Sequence, residues 1–340
     1  MAVRGKKVTQ ADVAKRANVS QTTVSHVLNN STVITVPAET RQRVIDAIDA
    51  LGYVPDQFAR SLRTRRTMTI AAVIPDIANP FYPAFVRGIQ DGVEQSGYDL
   101  VIYNTDGAPE KEHKAVRALQ NGRVDGAIMV LFHASARALS PLLERPMPIV
   151  RLEARIKPIG NLPLDNIFVD DTAAARNAVT HLIERGHTRI GMIAGNIGPR
   201  SGRVRGYELA LADHAIALDQ DLIRSGDQFV ETSGYAGMRE LLALAQRPTA
   251  VFAANDLIAM GALLALHEAG LRAPQDMAVI GFDDIPAAKL MNPPLTTVSQ
   301  FQESLGQRAA ELLLERLTGR ITGAGRNIEM PYSLIIRGSA

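Results

Sequence analysis

The 340-residue chain contains no cysteine and no tryptophan, and only 5% of it is aromatic. The lack of cysteine excludes disulfides, thiolate metal sites, iron–sulfur clusters and cysteine nucleophiles, and fits a reducing compartment. With no tryptophan, ring stacking against any ligand falls to Phe or Tyr. Long apolar runs are also missing, since stretches such as 70–74 and 127–132 fall far short of the roughly 18 residues of a membrane-spanning helix. The first residues, Met1-Ala2-Val3-Arg4-Gly5-Lys6-Lys7, run directly into polar sequence without the apolar stretch of a secretory signal, so the chain is expected in the cytoplasm, with no membrane partner. There is no G-x-x-x-x-G-K-[ST] loop, no H-E-x-x-H and no G-x-S-x-G, and the seven histidines are scattered. No base stands beside a nucleophile, so the sequence predicts no enzyme, no metal and no cofactor.

What is present is ordinary in bulk and uneven along the chain. Hydrophobic residues make up 46% and charged residues 21%, which excludes disorder and fibrous classes, and the length predicts two or three domains. The net charge of +2 hides a division: residues 1–66 carry 11 Lys and Arg against 5 Asp and Glu, net +6, and residues 67–340 carry 26 against 30, net −4. A small basic head on a mildly acidic body suits a polyanion partner for the head alone. A merely solvated basic surface would give the same balance.

In the body, apolar runs at 69–74, 99–104, 126–131, 149–152, 189–194, 250–253 and 277–281 alternate with amphipathic segments at 84–95, 110–121, 173–185, 203–212, 234–245, 257–269 and 305–317. Such alternation predicts right-handed βαβ units and parallel sheet. Five or six units fit one large sheet or two smaller ones, and the likeness of 122–128 to 186–192 hints at two halves. Doubly wound sheets bind ligands at the carboxyl ends of their strands, where Asn255, Asp256, Asp283 and Asp284 directly follow apolar runs. Asp283 is read as a ligand contact, with an N-cap as the other reading; Asp284 is read as structural and Phe282 as core.

The head reads as three helices at 9–16, 20–29 and 37–51. Thr9 is an N-cap, and Val13, Ala14 and Ala17 share one face. Asn18 sits where a helix–turn–helix needs positive φ. Ser20 caps the second helix, and Val24, Val27 and Leu28 point inward. Gln21, Thr22, Ser25 and His26 remain on the outer face, rich in donors and acceptors without fixed charge. They suit base edges in the major groove, although an ordinary polar helix surface would look alike.

The run from Val8 to Asn30, with Glu39-Thr40-Arg41, Leu51-Gly52-Tyr53-Val54-Pro55 and Ala59-Arg60-Ser61-Leu62-Arg63, resembles the headpiece and hinge of the lactose/galactose repressor family. In the body the resemblance continues through Ile74-Pro75-Asp76-Ile77-Ala78-Asn79-Pro80-Phe81-Tyr82, Ala254-Asn255-Asp256, Gly281-Phe282-Asp283-Asp284 and Leu295-Thr296-Thr297-Val298. It implies an all-α helix–turn–helix headpiece (1–55), a hinge helix and linker (56–67), and an α/β bilobed, periplasmic-binding-protein-like core of two doubly wound parallel sheets (68–340). The N-lobe would take 68–165 and 298–326 and the C-lobe 166–297 and 327–340, with crossings near 163–170, 293–300 and 326–330. The implied function is a transcriptional repressor whose operator affinity follows a small-molecule effector.

By the same resemblance Gln21, Thr22 and His26 would read bases, Leu62 would wedge into the minor groove, and Arg60, Arg63, Lys6 and Lys7 would hold phosphates. Phe81, Arg203, Phe229, Asn255 and Asp283 would contact the effector, with Glu153 a further candidate. Arg, Asp and an Asn amide make a good set for sugar hydroxyls, so the effector is read as a carbohydrate. A purine or nucleoside is the alternative, because headpiece and hinge most resemble the family's purine repressor. Against it, Ile197 and Pro199 stand where that repressor has polar contacts. A binding protein without DNA regulation is the remaining alternative. The partners are then a pseudo-palindromic operator duplex and a second copy of the chain. After the strand-like 332–336 no leucine heptad remains for a tetramer-forming helix, so the expected assembly is a homodimer.

Overall fold

The computed structural model describes residues 8–28, 34–54, 66–144, 147–153 and 162–340, which divide into two compact units, Met1–Thr67 and Met68–Ala340. The first holds α1 (Gln10–Ala17), α2 (Gln21–Leu28) and α3 (Ala38–Leu51). Thr9 and Asp12 form a reciprocal capping box, which satisfies two of the amides a helix start leaves open. Asn18 turns the chain with φ 52°, and Ser20 Oγ accepts the Thr23 N–H at 3.0 Å. Val13, Val24 and Val44, one from each helix, are fully buried and lock the three together.

The second unit begins with β1 (Thr69–Ile74), α4 (Phe81–Glu94), β2 (Asp99–Asn104), α5 (Pro109–Leu119), β3 (Gly126–Val130), α6 (Ser140–Leu143), β4 (Ile149–Glu153) and β5 (Leu164–Phe168). It continues with α7 (Asp171–Glu184), β6 (Ile190–Ala194), α8 (Arg200–Asp213), β7 (Ile223–Ser225), α9 (Glu231–Leu242), β8 (Ala250–Ala253), α10 (Asp256–Glu268) and β9 (Ala278–Ile280). It ends with β10 (Thr297–Ser299), α11 (Gln302–Leu317), β11 (Asn327–Glu329) and β12 (Ser333–Ile335).

Two separate parallel sheets result, ordered β11-β5-β4-β3-β1-β2 and β7-β6-β8-β9. β1 shows why its run is apolar throughout: Ile70, Ala72 and Ile74 pack towards α4 and α11, while Ala71 and Val73 pack towards α5. Both faces are covered, as parallel sheets require. Helices α4 and α11 approach so closely that a Cβ on Gly306 would lie 2.0 Å from the Phe85 carbonyl oxygen.

The lobe borders differ from the sequence expectation at three places. β5 and β11 pair with each other, Asn327 opposite Asn166, and complete the first sheet, so that lobe keeps the whole of 164–168 and 327–329. Polar Asp165, Asn166 and Asn327 disguise these strands. Asp165 and Asn166 are buried, Asp165 because Arg316 and Arg326 clasp it and Asn166 with its Nδ2 donating to Oδ1 of the exposed Asn327 at 2.9 Å. β10 stays with the second lobe, where Asp283 N–H donates to the Val298 carbonyl at 2.8 Å, and it pairs antiparallel with β12.

Candidate functional site

In the first unit, the outer face of α2 carries Gln21 and Thr22 exposed and His26 half-buried, directly after the Asn18 turn. Their opposite neighbours Val24 and Val27 are in the helical core, which fixes the polar set outward. Lys6, Lys7, Arg60, Leu62 and Arg63 lie outside the described residues.

In the second unit, a cleft of about 570 Å³ opens between the two sheets at the carboxyl ends of their strands. Phe81 and Glu153 come from the first lobe and Arg203, Phe229, Asn255 and Asp283 from the second, and all six line it. Arg203 sits in the first turn of α8 and is 4% exposed. Its guanidinium lies 3.7 Å from the Phe282 ring centroid and 6.0 Å from that of Phe229, donates to the Ala254 carbonyl, and faces Asp171 at 3.4 Å and Asp283 at 3.5 Å. Tight charge-assisted pairs close to about 2.8 Å, so both carboxylates retain room for a further donor.

Burial pushes the Asp283 carboxyl up to about 7, opposed by Arg203 and reinforced by Asp171. Burial also lifts Asp171 to about 6, again opposed by Arg203. One cation therefore serves two carboxyls that resist ionising together. Burial, then the Asp283 charge, raises the Tyr82 hydroxyl above its ordinary value. Of the charged residues lining the cleft, Asp76, Asp106, Glu153, Asp171 and Asp283 are acidic and Arg203 is the one base. Among the described residues, no group of three or more His, Asp or Glu is placed to hold a metal.

Asp283 has φ 114° and does not cap a helix. Gln300 Nε2 donates to its carboxylate at 2.7 Å, and the Gln302 side chain donates to its backbone carbonyl. Asn255 is the N-cap of α10, its Oδ1 accepting the Ile258 N–H at 2.9 Å, while its Nδ2 donates to the Phe229 carbonyl at 3.2 Å. Asp284 pairs with Arg337 at 2.6 Å, and Phe282 is wholly buried. Among the cleft residues that escaped the sequence reading are Asp171 and Gln300, which face Arg203 and Asp283. Asp171 follows β5, and a strand containing Asp165 and Asn166 gives no apolar signal; Gln300 lies in a crossing segment with no periodic pattern.

Residues 9–56 match the family described as bacterial regulatory proteins, lacI family, and residues 179–340 match the periplasmic binding protein-like domain. The chain is 38% identical over 335 residues to the HTH-type transcriptional repressor PurR of Erwinia tasmaniensis, covering 96% of this chain and 95% of the relative. It is 35% identical over 336 residues to the ribose operon repressor of Escherichia coli strain K12, covering 98% and 99%. The fold matches the crystal structure of the lac repressor dimer bound to operator and the anti-inducer ONPF with a TM-score of 0.86 at 29% identity, covering 98% of this chain and 99% of that one. Headpiece, two-sheet body and relatives matched over nearly the full length agree, and the chain belongs to the lacI family of bacterial regulatory proteins.

Proposed function

We propose that the chain is a transcriptional repressor that binds a pseudo-palindromic operator as a homodimer, its affinity set by an uncharged, polyhydroxylated effector, a sugar or sugar derivative, between the lobes. In this reading Gln21, Thr22 and His26 meet base edges. Arg203, Asp283 and Asn255 hold the effector's polar groups against the Phe81 and Phe229 rings, and Lys6, Lys7, Arg60, Arg63 and Leu62 keep the DNA roles their motif suggests. The observation that carries the effector class is the buried set Arg203, Asp171 and Asp283. Its carboxylates accept hydroxyl donors, and its single guanidinium is already shared between them. A phosphate or carboxylate ligand would meet Asp76, Asp106 and Glu153 in the cleft lining with only a guanidinium already shared between Asp171 and Asp283 to offset them, and so net repulsion. A purine base is disfavoured because Ile197, Gly198 and Pro199 supply that wall of the cleft without side-chain donors.

A thermal-shift panel of neutral mono- and disaccharides, their phosphate esters, purine bases and nucleosides tests the class. A true effector at 100 times its Kd adds about 2.7 kcal/mol of apparent stability. The expected hit is a neutral sugar. Stabilisation by phosphate esters or purines alone would refute the assignment.

A further inference from the structure

Glu112 in α5 is fully buried, and its carboxylate accepts three consecutive backbone N–H groups of the loop after β3: Phe132 at 2.7 Å, His133 at 3.0 Å and Ala134 at 2.8 Å. Nothing in the effector contacts described above requires this arrangement. A buried carboxylate is costly unless fully hydrogen-bonded, so the three amides and the carboxylate fix one another. What they fix is the backbone that carries Phe132, whose ring lines the cleft and meets the second lobe. A Cβ on Gly198, in the second lobe, would lie 2.8 Å from Phe132 Cε1 and 2.9 Å from Cζ. A Cβ on Gly107, in the first lobe, would lie 3.4 Å from the Phe132 ring and 3.4 Å from Ile197 Cδ1 of the second. The ring is thus seated on bare backbone between the lobes, and at Gly198 that backbone has φ +61°.

We propose that Phe132 on Gly198 is the contact that holds the two lobes together at the effector cleft, and that Glu112 is its positioning residue. The contact exists only while the lobes are apposed, so its strength sets the closed population and, through that fraction, the apparent effector affinity. The inference rests on the effector reading for its consequence, but the contact itself can be tested without any effector.

The chain has no cysteine, so Ile197→Cys supplies a single thiol in the second lobe, beside first-lobe Gly107. Its alkylation rate by iodoacetamide in the full-length, ligand-free protein reports how often the lobes part. Phe132→Ala and Glu112→Gln, each in this background, should raise the rate about fivefold, with thermal unfolding of each variant still a single transition at a midpoint above the assay temperature. A rate unchanged by Phe132→Ala overturns the lobe contact; a rate raised by Phe132→Ala but not by Glu112→Gln overturns the role of Glu112. A second comparison covers any folding defect. Gly198→Ala should also raise the rate of a thiol at position 197, and adding Phe132→Ala to it should produce no further increase. Independent, multiplying effects would refute direct contact between the two residues. A normal thiol response together with no sugar hit in the thermal-shift panel would keep the contact and reject the effector class.

Discussion

Asp283 has a carboxyl lifted to about 7 by burial, with Arg203 3.5 Å away as its counter-charge. The folded protein therefore keeps a proton that the unfolded chain releases above about 3.9. The stability this group contributes is fully present below the unfolded value and is lost as pH rises through about 7. Asp171, lifted to about 6, acts in the same direction. Asp283→Asn removes the titrating group, so its melting temperature relative to the parent should rise by a few degrees between pH 5 and pH 8; a constant difference would contradict the assigned shift. An ionised carboxylate accepts effector hydroxyls more strongly than a protonated one. Binding of the sugar found in the panel should then release protons below pH 7, seen as a calorimetric heat that depends on the buffer's ionisation enthalpy, and Asp283→Asn should abolish that dependence. At this scale Arg203, Asn255 and Asp283 were legible because each belongs to a motif or follows an apolar strand. The left-handed region of Asp283 and the grip of Gln300 and Gln302 were not, since they arise from a segment more than fifteen residues downstream.

At the scale of elements, the strands were read nearly to the residue where both faces are apolar, as in Thr69–Ile74 and Ala250–Ala253. Helices were read too short at their starts. α4, α8, α9 and α11 each begin three residues before the periodic pattern does, because their first turns hold Pro, Gly, Ser and other polar residues or, in α4, the cleft-lining Phe81 and Tyr82. β5 went unread because its buried Asp165 and Asn166 are polar, Asp165 being satisfied by arginines far away in sequence, and β11 because its three residues expose Asn327 and Glu329. The α4–α11 pair carries its own prediction. Alanine is a better helix former than glycine by about 1 kcal/mol, yet a Cβ at position 306 would meet the Phe85 carbonyl at 2.0 Å. The overlap should win, and Gly306→Ala should lower stability to urea by about 2 kcal/mol or more; an unchanged or raised midpoint would show that the helices part easily. For α2, Gln21 lies exposed on the outer face. Gln21→Ala should change preference at one base pair of the selected operator by about 1–3 kcal/mol, measured by sequencing duplexes retained from a random pool. A uniform loss across all sequences would take α2 out of the groove.

At the scale of the whole molecule, a basic head and an acidic two-lobed body have separate tasks, and only an effector with different affinities for two states can link them. A single headpiece offers few base contacts, and helix–turn–helix proteins bind two half-sites as dimers. Light scattering at micromolar concentration should accordingly give a dimer, and a stable tetramer would contradict that expectation. Arg203→Ala isolates the link. Removing this cation leaves Asp171 and Asp283 facing each other, but both carboxyls already hold protons well above the ordinary range and can stay neutral, so the lobe remains folded. The most direct measurement is operator affinity of the parent and of Arg203→Ala, each with and without saturating amounts of the sugar that the parent binds. The parent's affinity should change about tenfold or more with sugar, Arg203→Ala should bind operator as the sugar-free parent does, and sugar should have no effect on the variant. An operator affinity indifferent to the bound sugar in the parent, or a full sugar response in Arg203→Ala, would contradict this link.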